Sequence, residues 1–140
     1  MSPITLLDTG PLVAMLDERD QHHSWSLEQM SRLRPPARTC EPVIVEAFHL
    51  LRHLPRARTA ILEMIAEGVL TTPFLLTEHA REVLALRERY ANVPMSLADA
   101  CLVRMSDLVS DCLVFTLDSD FRIYRRHRRQ KIPLLLPQMK

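Results

Sequence analysis

Short, largely apolar runs alternate along this chain with segments of helical periodicity, and two of those runs close on an aspartate. Ile4 to Leu7 ends at Asp8, and Leu113 to Leu117 ends at Asp118. Runs of this length, bounded by turn signals, read as strands. They are continuous rather than alternating in polarity, so both faces of their sheet must be covered. Strands alternating with helices predict parallel β-α units and a three-layer α/β/α sandwich with a mostly parallel sheet. In such sheets the functional crevice opens at the carboxyl ends of the strands, near the point where strand order reverses. Both aspartates are therefore delivered to the functional rim.

The remaining segments fill in this frame. Thr-Gly-Pro after Asp8 predicts a turn and a helix with Pro11 in its first turn. Helical spacing recurs over His22 to Arg34, from Pro42 to about Leu54 and over Ala57 to Glu67, with Gly68 placed as a C-terminal cap. It recurs again over Thr77 to Tyr90, with Ala80, Val83, Leu84 and Leu86 on the apolar side, and from the N-cap Ser96 to Leu108. Arg38 to Cys40, Val69 to Leu75 and Leu134 to Leu136 are the other β-like stretches. No repeat or linker interrupts them, so residues 1–140 are expected to form a single domain. No apolar run approaches the ~20 residues of a membrane span. The N-terminus lacks the features of a signal peptide. Three cysteines without a C-x-x-C pattern suggest buried thiols in a reducing cytoplasm.

Charge is unevenly spread. Eighteen basic and seventeen acidic residues give a net +1, which as a bulk figure argues against a nucleic-acid binder. Yet residues 122–140 carry seven basic side chains and no acid, leaving the rest of the chain acidic. Setting aside Asp8, Glu46, Asp99, Asp118 and Asp120 leaves twelve acids against eighteen basic residues. Those five acids occupy unusual positions. Asp8 and Asp118 follow strands, where a helix cap or turn is the ordinary alternative. Glu46 stands on or beside the apolar stripe of its helix, unless it is an edge residue paired with Arg52. Asp99 stands three residues after Ser96, the spacing of a capping box, yet also has inward neighbours Met95, Leu102 and Val103. Asp120 is either a further ligand or the cap of a short helix. Several carboxylates in one crevice repel one another unless a cation joins them. An all-oxygen set suits Mg²⁺ or Mn²⁺, which would activate a water and neutralise a phosphodiester under attack. The chemistry indicated is metal-dependent phosphoryl transfer, most naturally by a nuclease.

The order of motifs resembles the PIN domain family, closest to VapC-like toxin ribonucleases and free-standing bacterial PIN proteins. The resemblance rests on strand-Asp-Thr-Gly-Pro-Leu at Asp8, Glu-Pro-Val-Ile-Val-Glu-Ala at Glu46, Ser-Leu-Ala-Asp-Ala at Asp99 and Val-Phe-Thr-Leu-Asp-Ser-Asp-Phe at Asp118. It implies a Mg²⁺- or Mn²⁺-dependent endoribonuclease with a parallel five-stranded sheet. On this resemblance Asp8 and Asp99 are the principal metal ligands. Glu46 completes the acidic cluster and orients the attacking water. Asp118 is the fourth acid, Asp120 a further metal ligand, and Thr9 and Thr116 support the ligands through their hydroxyls. The resemblance also implies a homodimer and, for a toxin, a small antitoxin whose segment occludes the crevice. Arg122, Arg125 and Arg126 follow the fourth acid and are expected to hold RNA phosphates. Arg128, Arg129 and Lys131 read equally well as a solvated face.

Two readings compete. Glu46, His49 and His53 have the spacing of a zinc or di-iron half-site on one helix, but no second Glu-x-x-His exists to complete it. The other is a non-catalytic PIN fold acting as an RNA-binding or protein-interaction module.

Overall fold

The computed structural model describes residues 2–138, so Lys140 of the basic segment lies outside the described residues. Five strands form a parallel sheet: β1 (Ile4–Leu7), β2 (Arg34–Arg38), β3 (Leu70–Thr71), β4 (Cys112–Phe115) and, near the C-terminus, β7 (Leu134–Leu135). Their spatial order is β3-β2-β1-β4-β7, and every pairing within this sheet is parallel. The chain leaves β1 toward β2 on one side, while β4 joins on the other. The reversal between β1 and β4 opens the crevice at their carboxyl ends. Thr5, Leu6 and Leu7 are successive and all buried. Since alternate side chains of a strand point to opposite faces, both faces of β1 are covered.

Six helices complete the frame: α1 (Thr9–Leu16), α2 (His23–Arg32), α3 (Glu41–Leu50), α4 (Pro55–Ala66), α5 (Leu76–Arg89) and α6 (Leu97–Leu108). α3 packs against both α1 and α6, and α5 packs against α6. The amino ends of α1 and α6 thus converge with α3 above the strand ends. The core runs from Leu6, Leu7 and Val114 through Leu12, Val43 and Ala47 to Leu102 and Val103. Among the described residues no helix is long and apolar enough to cross a membrane. All three cysteines are free and buried.

Several boundaries differ from the sequence expectations for identifiable reasons. β2 lies upstream of the expected Arg38 to Cys40 and includes Pro35 and Pro36. The register runs from Ile4↔Arg34 to Leu6↔Arg38, so β2 spends two extra residues in an irregularity where prolines need give no ladder hydrogen bond. α3 stops at Leu50, short of Leu54. Leu54 precedes Pro55, is pushed out of helical geometry (φ −126°, ψ 79°), and caps the next helix instead. α5 is kinked at His79 (φ −130°), and of its expected apolar side Val83 is buried while Ala80 and Leu84 are exposed. Gly68 has the left-handed φ of +76° that its capping role predicts. A small antiparallel hairpin, β5 (Arg125–Arg126) with β6 (Gln130–Lys131), has no apolar pattern and is not legible in the sequence.

Candidate active site

Asp8 is the first residue beyond β1, and its backbone N–H donates to the Phe115 carbonyl at the end of β4 (2.9 Å). It occupies the N-cap position of α1 but makes no capping hydrogen bond. Its side chain serves the crevice instead. The Thr116 hydroxyl donates to Asp8 Oδ2 at 2.6 Å, and the same hydroxyl oxygen accepts the Asp118 N–H at 2.9 Å. With its one proton given to Asp8 and a lone pair to the Asp118 amide, Thr116 fixes the carboxylate and the turn into Asp118 together. Only 6% of Asp8 is exposed. Burial raises its pKa from 3.8 to about 7, helped by the charges of Asp99 and Glu46 and opposed by the Thr116 hydroxyl and the Thr9 amide.

Asp99 comes from the first turn of α6. The capping box and the inward orientation are both realised. Asp99 N–H donates to Ser96 Oγ at 3.0 Å, and Ser96 N–H donates to Asp99 Oδ2 at 3.2 Å. Tyr124 Oη–H donates to the same Oδ2 at 3.2 Å. Both bonds use one carboxylate oxygen, which leaves Oδ1 to the crevice. Burial raises the Asp99 pKa and the neighbouring Asp118 charge adds to it, while the Ser96 and Tyr124 bonds oppose the rise. Tyr124 is fully buried, with edge-on ring contacts to Tyr90 (5.1 Å) and Phe121 (5.2 Å) between centroids. Burial and the Asp99 carboxylate push its phenol up, so it stays a donor. Tyr124 has no signature in the sequence. Only the turn that folds Phe121 and Tyr124 under α6 gives it this role.

Asp118 accepts the Asp120 N–H at 2.9 Å and caps the 3₁₀ turn Ser119–Arg122, so it too is both cap and crevice residue. Asp8, Glu46, Asp99 and Asp118 all line one cleft of about 400 Å³, together with Thr9, Gly10, Leu50 and Leu117. The lining contains no basic side chain. Glu46, expected on or beside the buried stripe, lies beside it: it is exposed, at the mouth, on the face of α3 turned toward the cleft. A Cβ on Gly10 would come within 3.1 Å of Leu117, so glycine keeps the floor uncrowded.

Four of the expected site residues are placed otherwise than expected. Asp120 is not among the residues lining the cleft; its backbone serves Asp118 and its charge lies near Tyr124. The Thr9 hydroxyl supports no ligand: it is buried without a hydrogen-bond partner among the described residues, and only the Thr9 amide acts on Asp8. Arg126 does not face RNA. It is 6% exposed, and its Nη2 donates to Val109 O at 2.6 Å and Nη1 to Ser110 O at 3.4 Å, satisfying carbonyls just beyond α6. Arg125 also turns away from the cleft, its Nη1 donating to the carbonyls of Arg122, Ile123 and Tyr124. Arg122 is exposed on the 3₁₀ turn.

The donor set can be tested against a divalent cation. Among the described residues no three acidic, histidine or cysteine side chains are gathered into a ready-made metal cage, and His49 and His53 join none. The acids that line the cleft are instead a hard, all-oxygen donor set of the kind Mg²⁺ or Mn²⁺ takes, since Mg²⁺ retains several waters and uses one or two protein carboxylates plus substrate oxygens. Two carboxyls raised chiefly by burial, and further by the charges of Asp99 and Glu46 on Asp8 and of Asp118 on Asp99, a wall without basic side chains, and an orphaned Thr9 hydroxyl fit a hydrated hard cation.

The PIN domain family model matches residues 5–126, a span containing all four cleft acids. The chain belongs to the PIN domain family. Its fold is similar to that of Mycobacterium tuberculosis VapC20, a sarcin-ricin loop cleaving toxin, with a TM-score of 0.72 at 18% identity, over 83% of this chain and 91% of that one. No curated protein matches the sequence.

Proposed function

We propose that this PIN protein is a Mg²⁺- or Mn²⁺-dependent endoribonuclease, the toxin of a toxin–antitoxin pair. The observation that carries the reading is the convergence of Asp8, Glu46, Asp99 and Asp118 on one cleft without a basic side chain. Asp8 and Asp99 would hold the cation, with Asp118 contributing at the rim. A bound cation supplies Lewis-acid stabilisation of the phosphodiester and lowers the pKa of water. The chain's own residues do the rest. Thr116 and Tyr124 hold the two aspartates in fixed orientations, so little reorganisation accompanies binding. Glu46, at the mouth, accepts a hydrogen bond from the attacking water and draws its proton. Arg122, exposed beyond Asp118, is placed to meet a phosphate of the RNA.

Defined RNAs, a sarcin-ricin loop hairpin among them, are the substrates to test with Mn²⁺, Mg²⁺ or chelator. Wild type should cleave only with metal, and Asp8→Asn and Asp99→Asn should each lose at least about a hundredfold in rate, the scale of losing an electrostatic group at a reacting centre. Cleavage equal in all three proteins, or absent from wild type on every RNA, overturns the reading and leaves the non-catalytic module. The implied partners are a second copy of the chain and a short antitoxin segment across the cleft. Light scattering and co-purification test these.

A further inference from the structure

A second concavity, of about 420 Å³, lies where α5, α6 and the β5–β6 hairpin meet. Its lining carries four arginines, Arg89, Arg104, Arg125 and Arg128, against two carboxylates, Glu82 and Asp107. One of those carboxylates is already spent. Asp107 Oδ1 accepts the His127 N–H at 2.7 Å and Oδ2 pairs with Arg104 Nη1 at 3.5 Å, so it braces the hairpin against α6. Arg104 is further occupied by His79, through Nε at 3.2 Å. The three carbonyl bonds of Arg125 all use Nη1, and they fix its guanidinium with the other edge uncommitted among the described residues. Arg89 and Arg128 are exposed, at the end of α5 and in the hairpin loop.

The loop itself is costly to build. His127 (φ 49°) and Arg128 (φ 69°) are successive left-handed residues, positions where glycine or asparagine avoids the Cβ penalty. Chain conformation alone gives no reason for a histidine and an arginine there. The concavity also connects to the acidic cleft: Tyr124 bonds to Asp99, and the next residue, Arg125, donates its N–H to Tyr90 Oη at 3.0 Å and faces the basic side.

We infer that this basic concavity is a distal phosphate-binding site for the RNA substrate, gripping the backbone several nucleotides from the bond that is cut. The inference rests on the nuclease reading for its substrate. The eight residue steps of α6 from Asp99 to Asp107 span about 12 Å at ~1.5 Å each. At the ~3.4 Å rise of a stacked strand this is three to four nucleotides. Planar guanidiniums around a concavity suit the paired oxygens of a phosphodiester. The site would make RNA length a determinant of affinity and leave chemistry to the acidic cleft.

The test is the double variant Arg89→Gln/Arg128→Gln, whose side chains make no hydrogen bond or ion pair among the described residues, beside the control Arg52→Gln/Arg56→Gln, on the α3–α4 connection and in the first turn of α4. Cleavage of an RNA of about twelve nucleotides is compared with one of about four, cut centrally. The double variant should raise KM on the long RNA on the order of tenfold, with kcat held, and change the short RNA little. Anisotropy with the long RNA in chelator should show the salt slope reduced by about 1.4, at ~0.7 per phosphate on a single strand. The control should match wild type in both. Unchanged KM and slope, or equal losses on both lengths, overturn the inference. If wild type cleaves nothing but the slope still falls in the double variant, the nuclease reading fails and the distal site stands.

Discussion

Replacing Asp8 by asparagine should stabilise the protein in chelator while abolishing cleavage. The buried carboxyl is raised from 3.8 to about 7, chiefly by desolvation. At ~1.36 kcal/mol for each tenfold change this is a ceiling of about 4 kcal/mol. Because the folded-state pKa is the higher one, the unfolded chain loses this proton first as pH rises. The stabilisation given by neutral Asp8 is full below about pH 4, declines as pH rises, and is gone above about pH 7. Asparagine keeps the neutral form at every pH and can still accept from the Thr116 hydroxyl. With water entering the cleft, about half the ceiling should survive, roughly 2 kcal/mol at pH 8. For a domain of this size that is a Tm rise of roughly 5–10 °C. Thermal unfolding of both proteins in chelator from pH 4 to pH 8 measures it: the difference should be small at pH 4, grow toward pH 7 and then level. Adding Mn²⁺ should raise the wild-type Tm by ligand linkage and leave the variant little changed. A variant no more stable than wild type at pH 8, or a difference independent of pH, would refute the reasoning.

Other substitutions separate support of the site from support of the fold. Thr116→Val keeps the shape but removes both the bond to Asp8 and the acceptor for Asp118 N–H; about 1–3 kcal/mol of stability should go, with a fall in kcat larger than any change in KM. Tyr124→Phe should cost about 1 kcal/mol and slow cleavage several-fold, because Asp99 keeps its Ser96 bond but loses the second; denaturant unfolding and single-turnover kinetics measure the two effects. Arg126→Met should lower stability by about 2 kcal/mol, as the carbonyls of Val109 and Ser110 lose a charged donor. In the same variant the salt slope of RNA binding should match wild type, and a reduced slope would restore the arginine to the RNA interface.

Much of the site is legible in the primary structure because it sits at positions that local patterns define. An aspartate that directly follows a strand has its place set by the strand, so Asp8 can be put on the rim from β1 alone; β4 stops at Phe115, short of the expected Leu117, and Asp118 reaches the rim through the turn that the Thr116 hydroxyl holds. Asp99 is visible through Ser96, whose capping spacing announces a helix start. Glu46 is less so. Its helical phase places it beside the apolar stripe, but only the packing of α3 against α1 and α6 turns it toward the cleft mouth and leaves it exposed. The arginines are the least legible. Arg125 and Arg126 are adjacent in a basic run, yet one turns to the basic concavity and the other caps the end of α6. Charge in a sequence carries no direction, whereas a guanidinium goes where unsatisfied carbonyls lie.

The chain's alternation of apolar runs and helical periods determined by itself the parallel sheet, the layered fold and the rim on which its acids would gather. These follow from the period of hydrophobicity and from chain stereochemistry, both local. Tertiary structure alone decided which oxygen of Asp99 stays open, which hydroxyl holds Asp8, and that Tyr124 belongs to the site. It also built the basic concavity from α5, α6 and a hairpin with no apolar pattern. Those features depend on desolvation and on hydrogen bonds between residues distant in sequence. The Thr116–Asp8 bond spans 108 positions, and its energy exists only once the fold has brought its partners together.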